Sequence, residues 1–323
     1  MRQFETGFVL GKFCPLHRGH MFLIDTATEC CERLYIVVDN IMDNVFPVSR
    51  RIAWVKEEYS KATVITQPHP LPQNPGETPD FWNIWQSALF DILPEKIDAV
   101  FASETYGERL AAELGAAFVM VDNKRTKVPI SASKIREDIL HQWHFISPSA
   151  QKDLQKNICI FGPESTGKST LTHQLAEYFN VPYVDEYAVD VIKEKNGDIC
   201  FDDMEKIVIG HHKKIMKALQ TPSPLLFVDT DAIASKVWSN ELFGKESPVI
   251  EEMIGLQHFD HYLLLDIDLP WVNDIHRYRP DERKAFFNEC KHELEKRGKH
   301  YTIIGGIGNL RFQNALKSVM ALF

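Results

Sequence analysis

The sequence predicts an α/β protein of two domains, each built on a parallel sheet. Three observations carry this expectation. The chain has 323 residues, too many for one typical domain and about right for two. Short β-rich runs alternate with helical patterns through both halves, which implies βαβ units and sheets covered on both faces. A glycine-rich run, Gly162 to Ser169, follows an apolar strand in the middle of the chain, where a second α/β unit would open.

The N-terminal half offers strands at Thr6–Leu10, Leu34–Val38, Thr63–Thr66, Ala99–Ala102 and Phe118–Val121. Between them the spacing predicts helices at Gly19–Cys31, Ser49–Ser60, Phe81–Ile92, Tyr106–Glu113 and Ser133–His141. Pro68, Pro70, Pro72, Pro75 and Pro79 mark a long loop before the Phe81 helix, a length that is often functional. Ser147-Pro148-Ser149 disfavours helix and polar residues follow, so the division is placed within Ile146–Gln155, giving domains 1–147 and 148–323. The second half offers strands at Ile158–Phe161, Tyr183–Val184, Leu225–Val228, Tyr262–Leu265 and Tyr301–Ile304. Its helices fit Lys168–Tyr178, Met204–Leu219, Ala232–Leu242, Asp281–Arg297 and Leu310–Leu322.

Composition narrows the classes. Hydrophobic residues make up 44% and charged residues 25%, as in ordinary globular proteins. No apolar run reaches the length of a membrane span, and the first residues, Met1-Arg2-Gln3-Phe4-Glu5, do not resemble a secretory signal. The six cysteines lack framework spacing, so reduced thiols and a cytoplasmic location are expected. A net charge of −9 argues against nucleic acid as a partner, because phosphate-backbone binding needs clustered Lys and Arg. His211-His212-Lys213-Lys214 reads as a solvated helix face, and Asp202-Asp203 as a helix cap.

Two nucleotide signatures of different classes stand in this one chain. Near the start, Gly11 closes a strand, and His17-Arg18-Gly19-His20 opens a helix. Glycine lets the backbone approach a phosphate closely, and the helix N-terminus supplies unpaired N–H groups and a positive dipole end. Histidines three apart can share one pocket and stabilise charge developing on a phosphate. Later, Ile130-Ser131-Ala132-Ser133-Lys134-Ile135-Arg136 opens another helix. There Ser131 and Ser133 either cap the helix or bind phosphate oxygens, and Arg136 can clamp a phosphate. Together these motifs resemble the nucleotidylyltransferase superfamily over about residues 5–145. The resemblance implies a Rossmann-like domain in which a substrate phosphate attacks the α-phosphate of ATP and releases pyrophosphate, with Mg²⁺ present. It assigns the transferring phosphate to His17 and His20, and ATP to Gly11, Lys12, Phe13, Ser131, Ser133 and Arg136.

The second signature is Gly162-Pro163-Glu164-Ser165-Thr166-Gly167-Lys168-Ser169, with Thr170 following on the helix. The pattern is a P-loop, whose N–H groups cradle phosphates. Lys168 would reach the β- and γ-oxygens, and Ser169 would hold Mg²⁺. Leu225-Leu226-Phe227-Val228-Asp229 is an apolar strand ending in a carboxylate, which would act at the Mg²⁺ shell with Asp231 nearby. Asp185-Glu186 follows the short second strand of this half. One of the two is the expected base for a substrate hydroxyl, and the sequence does not separate them. Trp271 to Arg279 carries Arg277 and Arg279 and reads as a lid closing on phosphates. Gly305-Gly306-Ile307-Gly308 either touches adenine or makes a tight turn.

An adenylyltransferase followed by a P-loop kinase resembles the NadR family over nearly the whole chain. The matching segments are Gly11 to His20, Ser49 to Trp54, Ile130 to Arg136, Gly162 to Thr170, Asp185 to Ala188, and Asp229 to Asp231. The resemblance implies a bifunctional salvage enzyme. Its kinase phosphorylates nicotinamide riboside to the mononucleotide (NMN) with ATP, and its adenylyltransferase converts NMN to NAD. It implies Asp229 and Asp231 as substrate contacts, a functional link to a membrane riboside transporter, and an oligomer, as is common in the family. Trp82 or Trp85 could stack on the cationic nicotinamide ring, or both could be core. Three departures stand out. The first strand begins within about six residues of Met1, so the repressor domain of many members, and DNA binding with it, is not expected. Ile275 replaces a lid glycine, and Val189 replaces an arginine after Glu186-Tyr187-Ala188. Two other readings remain: a fused phosphopantetheine adenylyltransferase and dephospho-coenzyme A kinase, and an NAD-sensing regulator with weak catalysis.

Overall fold

The computed structural model describes residues 2–42, 45–270 and 282–323. It divides into two compact units, the first ending at Leu154 and the second beginning at Gln155. Both are α/β.

In the first unit the chain runs β1 (Phe4–Gly11), α1 (Arg18–Cys30), β2 (Cys31–Val38), α2 (Val48–Glu58), β3 (Thr63–Ile65), α3 (Phe81–Ile92), β4 (Ala99–Ala102), α4 (Tyr106–Leu114), β5 (Ala117–Met120), α5 (Ala132–Glu137) and α6 (Pro148–Leu154). The strands form one sheet in the order β3-β2-β1-β4-β5, each pair parallel. Side chains alternate between its faces. Val9 and Ile36 join the α1 side with Leu23 and Ile24, while Phe8, Tyr35 and Val37 pack with Trp85 and Leu89 on the other. Both faces are covered, which is why β1 and β2 read as continuous apolar runs. The order reverses between β1 and β4, the point where ligands bind beyond the strand ends in open α/β sheets.

Two expectations need correction here. The division lies at the far end of Ile146–Gln155, seven residues beyond the cut at 147/148, because those residues form α6 within the first unit. Pro148 begins that helix, where proline's missing N–H costs nothing. Ala150 and Leu154 enter the first core. The Trp54 indole donates to Asp153 at 2.7 Å, and the Ser149 N–H donates to Glu58 at 2.7 Å. The helix expected at Ser133–His141 stops at Glu137. His141 instead turns back, its backbone N–H and its ring both meeting the Asp138 carboxylate.

Arg51, fully buried, ties the loops around the strand ends together. Its guanidinium donates to the carbonyls of Phe46, Lys12 and Asp39 at 2.7 Å each, and to that of Ile41 at 3.3 Å. Removing it orphans several buried acceptors. Arg51→Ala is therefore expected to destabilise the first unit by about 3 kcal/mol or more. Denaturant unfolding checks this: the midpoint of that unit's transition should fall while the second unit's stays in place.

In the second unit the chain runs β6 (Lys156–Phe161), α7 (Lys168–Phe179), β7 (Tyr183–Val184), α8 (Ala188–Glu194), α9 (Phe201–Ala218), β8 (Leu225–Asp229), α10 (Ala232–Phe243), α11 (Pro248–Leu256), β9 (His261–Leu265), α12 (Arg283–Lys296), β10 (Tyr301–Ile304) and α13 (Asn309–Met320). The sheet order is β10-β9-β6-β8-β7, again all parallel. The central β6 delivers its C-terminal end to the phosphate loop. Helices α8 and α11 were not expected. Ser247 caps α11 by accepting from the Val249 and Ile250 N–H groups, with Pro248 in the first turn, a start signal the sequence does carry. No helix among the described residues is long and apolar enough to cross a membrane.

Candidate active sites

The first site opens where β1 ends. A Cβ on Gly11 would lie 2.6 Å from the Phe13 ring. The ring of Phe13, itself at φ +50° and fully buried, takes the space a side chain on Gly11 would need, and both residues line the cavity that surrounds the histidines. Its ring meets that of His20 edge-on at 4.9 Å. His17 caps α1: its Nδ1 accepts from the Gly19 N–H at 3.1 Å and the His20 N–H at 3.3 Å. A ring nitrogen that accepts carries no proton, so the neutral ring holds its hydrogen on Nε2 and is a donor there. The two imidazoles stack with centroids 3.6 Å apart. Burial, with Arg125 adding, brings His17 down to about 4, and burial followed by the charges of His17 and Arg125 pushes His20 well below its usual range. Both are therefore neutral donors at physiological pH.

Around this pair lies a cavity of about 720 Å³, the size of sites that enclose small ligands. Lys12, Ser131, Ser133 and Arg136 line it with the histidines. Ser131 caps α5 through the Lys134 N–H at 3.4 Å, so capping is one use of that serine. Arg136 donates to the Cys14 carbonyl at 2.7 Å and to Ser133 Oγ at 3.4 Å, which fixes its guanidinium at the cavity edge. Both tryptophans line the cavity, but Trp85 is anchored in the core: it is 5% exposed and its indole donates to the Pro72 carbonyl at 2.8 Å. Trp82 is only partly buried, lines the same cavity, and carries the Arg109 guanidinium 5.9 Å from its ring centre. Arg125 was missed from sequence. It lines the cavity from a left-handed position, φ +51°, and pairs with Glu104 at 3.1 Å. The basic run Asn123 to Lys127 was its only signal.

The second site is the loop between β6 and α7. Gly162 stands at φ +131°, and a Cβ there would press to 3.0 Å on the Leu265 carbonyl. Gly167 at φ +84° and Ser165 at φ +58° complete the turn. The Thr166 hydroxyl donates to the Pro163 carbonyl at 2.7 Å, and Lys168 Nζ reaches the same carbonyl at 3.1 Å. Arg311 of α13 holds the loop from behind, donating to the Thr166 carbonyl and to that of Gly306. Gly306 thus belongs to a turn anchored by Arg311 and by Asp268, which accepts its N–H. Glu164 lines the neighbouring cavity, while Thr170 is exposed on α7.

Ser169 Oγ donates to Asp229 Oδ2 at 2.5 Å, joining the loop to the end of β8. Asp229 is buried, its Oδ1 has no partner among the described residues, and burial raises its pKa. Asp231 caps α10 with one oxygen and accepts from the Tyr262 hydroxyl at 2.8 Å with the other. Burial lifts it to about 6. Its main work is structural, although it also lines the cavity. The neighbouring carboxylates separate cleanly. Asp185 is exposed and paired with His173 at 2.6 Å. Glu186 lines the cavity, and burial pushes it up to about 7 against the pull of Lys168.

His211 corrects an expectation. It is 3% exposed, not on a solvated face, and its Nε2 lies 3.2 Å from the Thr230 carbonyl. Tyr187, Trp238 and Ser235 join it along the cavity; of these only Tyr187 falls in a segment the sequence singled out, and there it was given no role. Arg277, with Ile275 and the rest of the expected lid from Trp271 to Arg279, lies outside the described residues.

Comparison with known proteins agrees with this arrangement. A family model for an AAA domain matches residues 157–310. The chain is 31% identical over 312 residues to the trifunctional NAD biosynthesis/regulator protein NadR of Salmonella typhimurium, covering 89% of this chain and 75% of that protein. It is also 31% identical over 321 residues to the protein of that name in Escherichia coli, covering 91% and 78%. Among solved structures, a NadR protein in complex with NAD and AMP-PNP superposes with a TM-score of 0.65 at 23% identity, over 100% of this chain and 97% of that one. A NadR protein in complex with NR gives 0.66 at 23% identity, over 99% and 97%. These two likenesses concern the fold.

Proposed function

The chain belongs to the NadR family, and from that premise we propose that it is a bifunctional NAD salvage enzyme. Its second unit phosphorylates nicotinamide riboside with ATP. Its first unit joins the resulting NMN to the adenylyl group of a second ATP, giving NAD and pyrophosphate. The observation that carries this is the presence in one chain of a stacked, neutral histidine pair at a helix start, His17 buried and His20 partly so, and a P-loop whose Ser169 meets Asp229.

In the first unit the NMN phosphate oxygen attacks the α-phosphorus, and the bond to the β-phosphate oxygen breaks. The Nε2–H of His17 and the ring of His20 stabilise the charge that builds on the α-phosphate, and Lys12, Arg125 and Arg136 hold the anionic groups in place. In the second unit Lys168 and the loop N–H groups hold the β- and γ-phosphates. Glu186 takes the proton from the riboside hydroxyl as its oxygen bonds to the γ-phosphorus and ADP leaves. Mg²⁺ is the metal we assign: Ser169 Oγ and Asp229 Oδ1, which has no partner among the described residues, are the hard oxygen donors it prefers. When bound, it neutralises phosphate charge. A cytoplasmic location, a functional link to a riboside transporter, and an oligomeric assembly complete the proposal.

The base assignment has a pH signature. A base works deprotonated, so with Glu186 raised to about 7, kinase kcat/KM should climb with pH through about 7. Below that it should fall by about tenfold per pH unit. Glu186→Gln should cost about 10²–10⁴-fold and flatten the profile, whereas Asp185→Asn should leave turnover within about threefold. The reverse ranking would move the base to Asp185.

Supplying each half separately tests the function itself. Riboside with ATP should yield NMN and ADP; NMN with ATP should yield NAD and pyrophosphate. Turnover of phosphopantetheine and dephospho-coenzyme A instead would establish the alternative fusion. Tight NAD binding with no turnover of either pair would make the protein a sensor.

A further inference from the structure

The kinase cavity has a polar end and an apolar end, and one side chain at the polar end is left with an unused acceptor. Helix α9 faces the cavity with Met204, Ile207, Val208 and His211, a single stripe by their three- and four-residue spacing. His211 sits beside Thr230, between Asp229 and the capping Asp231. Asp229 is therefore at its end of the cavity, and Glu186 is brought to the same end by its neighbour Tyr187, whose ring packs on Gly210 of α9. Met204, Ile192, Ile199 and Leu242 make the other end apolar, with Trp238 nearby.

The backbone fixes the tautomer of His211. A carbonyl oxygen only accepts, so Nε2, 3.2 Å from the Thr230 oxygen, carries the proton. Burial lowers the pKa of the ring to about 4, which keeps it neutral. Nδ1 then holds a lone pair, and it is buried without a partner among the described residues. Buried acceptors are nearly always satisfied. Thr230 itself stands at φ +68°, a left-handed position that a β-branched residue rarely adopts. The bond from His211 helps to hold it, as does its own N–H to the Ile160 carbonyl at 2.9 Å. Strain of this kind gathers at working sites.

We propose that Nδ1 of His211 accepts a hydrogen bond from a ribose hydroxyl of the kinase substrate, so that the cavity selects ribosides over deoxyribosides. This rests on the kinase reading given above. The 5′-hydroxyl must lie at the Glu186 end for phosphoryl transfer, which leaves the flat base for the apolar end and the sugar for His211. A site built to receive a hydroxyl rejects the analogue lacking it, because its own acceptor is then stranded.

The test compares kcat/KM for nicotinamide riboside and its 2′-deoxy and 3′-deoxy analogues in the unmodified chain, His211→Phe and His211→Asn. The unmodified chain should prefer the riboside over one of the analogues by about tenfold. His211→Phe should bring that ratio to near one. His211→Asn places an acceptor oxygen where Nδ1 stood but cannot reach Thr230, and should restore the preference. If His211→Phe slows all three substrates equally and keeps the ratio, or if Asn behaves as Phe does, the side chain is only structural and the proposal fails. Should His211→Phe not fold, the ring nitrogen resonances of the unmodified chain decide. Nδ1 should shift when the riboside binds and not when the discriminated analogue binds; equal shifts overturn the proposal. An unmodified chain that phosphorylates no riboside would instead sink the kinase reading, a separate result.

Discussion

His20→Ala is expected to abolish pyrophosphate release from NMN and ATP while riboside phosphorylation continues unchanged. The His20 ring is stacked at 3.6 Å on His17 and held edge-on by Phe13, so its position in the cavity is fixed before substrate arrives. Burial and its neighbours hold it neutral, and its Nδ1 has no partner among the described residues. A fixed donor aimed at charge that appears only in the transition state contributes more than its hydrogen bond in water would. Losing one such group costs about 10²–10³-fold in turnover. Because His20 does not cap α1, a role that falls to His17, the fold should survive the change. Parallel assays of pyrophosphate and ADP release on one preparation check both halves of the expectation.

Lys168→Ala should give the mirror image, with ADP release lost by about 10²–10³-fold and pyrophosphate release retained. Lys168 begins α7 and its ammonium rests on the Pro163 carbonyl at 3.1 Å, within the loop that receives the phosphates. Phosphoryl transfer depends on positioning and on neutralising the equatorial oxygens, and among the loop's own side chains this one supplies a full positive charge. The Ser169–Asp229 pair should persist in the variant, since neither partner bonds to Lys168. Loss of both activities in a folded variant of either kind would contradict two independent sites.

Where local rules and tertiary demands agree, the sequence shows the outcome. The strands at Ala99–Ala102, Tyr183–Val184 and Tyr301–Ile304 and the helix Phe81–Ile92 stand where periodicity puts them. The loop Gly162–Ser169 stands directly after its strand, with glycine at two of its three positive-φ positions, where glycine is free of strain. Helix α6 was hidden because Pro148 reads as a breaker, yet in a first turn it is harmless. The sites were half visible. His17, His20, Lys168 and Asp229 belong to motifs with fixed spacing. Arg125, Trp238 and His211 do not, since the sheet brings them in from distant segments. His211 was misread because its neighbours His212, Lys213 and Lys214 make the run look solvated, whereas the stripe from Met204 decides which face turns inward. The choice between Asp185 and Glu186 is likewise tertiary: adjacent residues point apart, one to His173 and solvent, the other into the cavity.

The central claim is that one chain carries riboside through to the dinucleotide, and the products formed from nicotinamide riboside, ATP and Mg²⁺ test it most directly. Chromatography of the reaction should show NAD accompanied by ADP and pyrophosphate in equal amounts, with NMN passing through as the intermediate. NMN and ADP without NAD or pyrophosphate would contradict it, leaving a working kinase beside a first unit that does not transfer adenylyl groups.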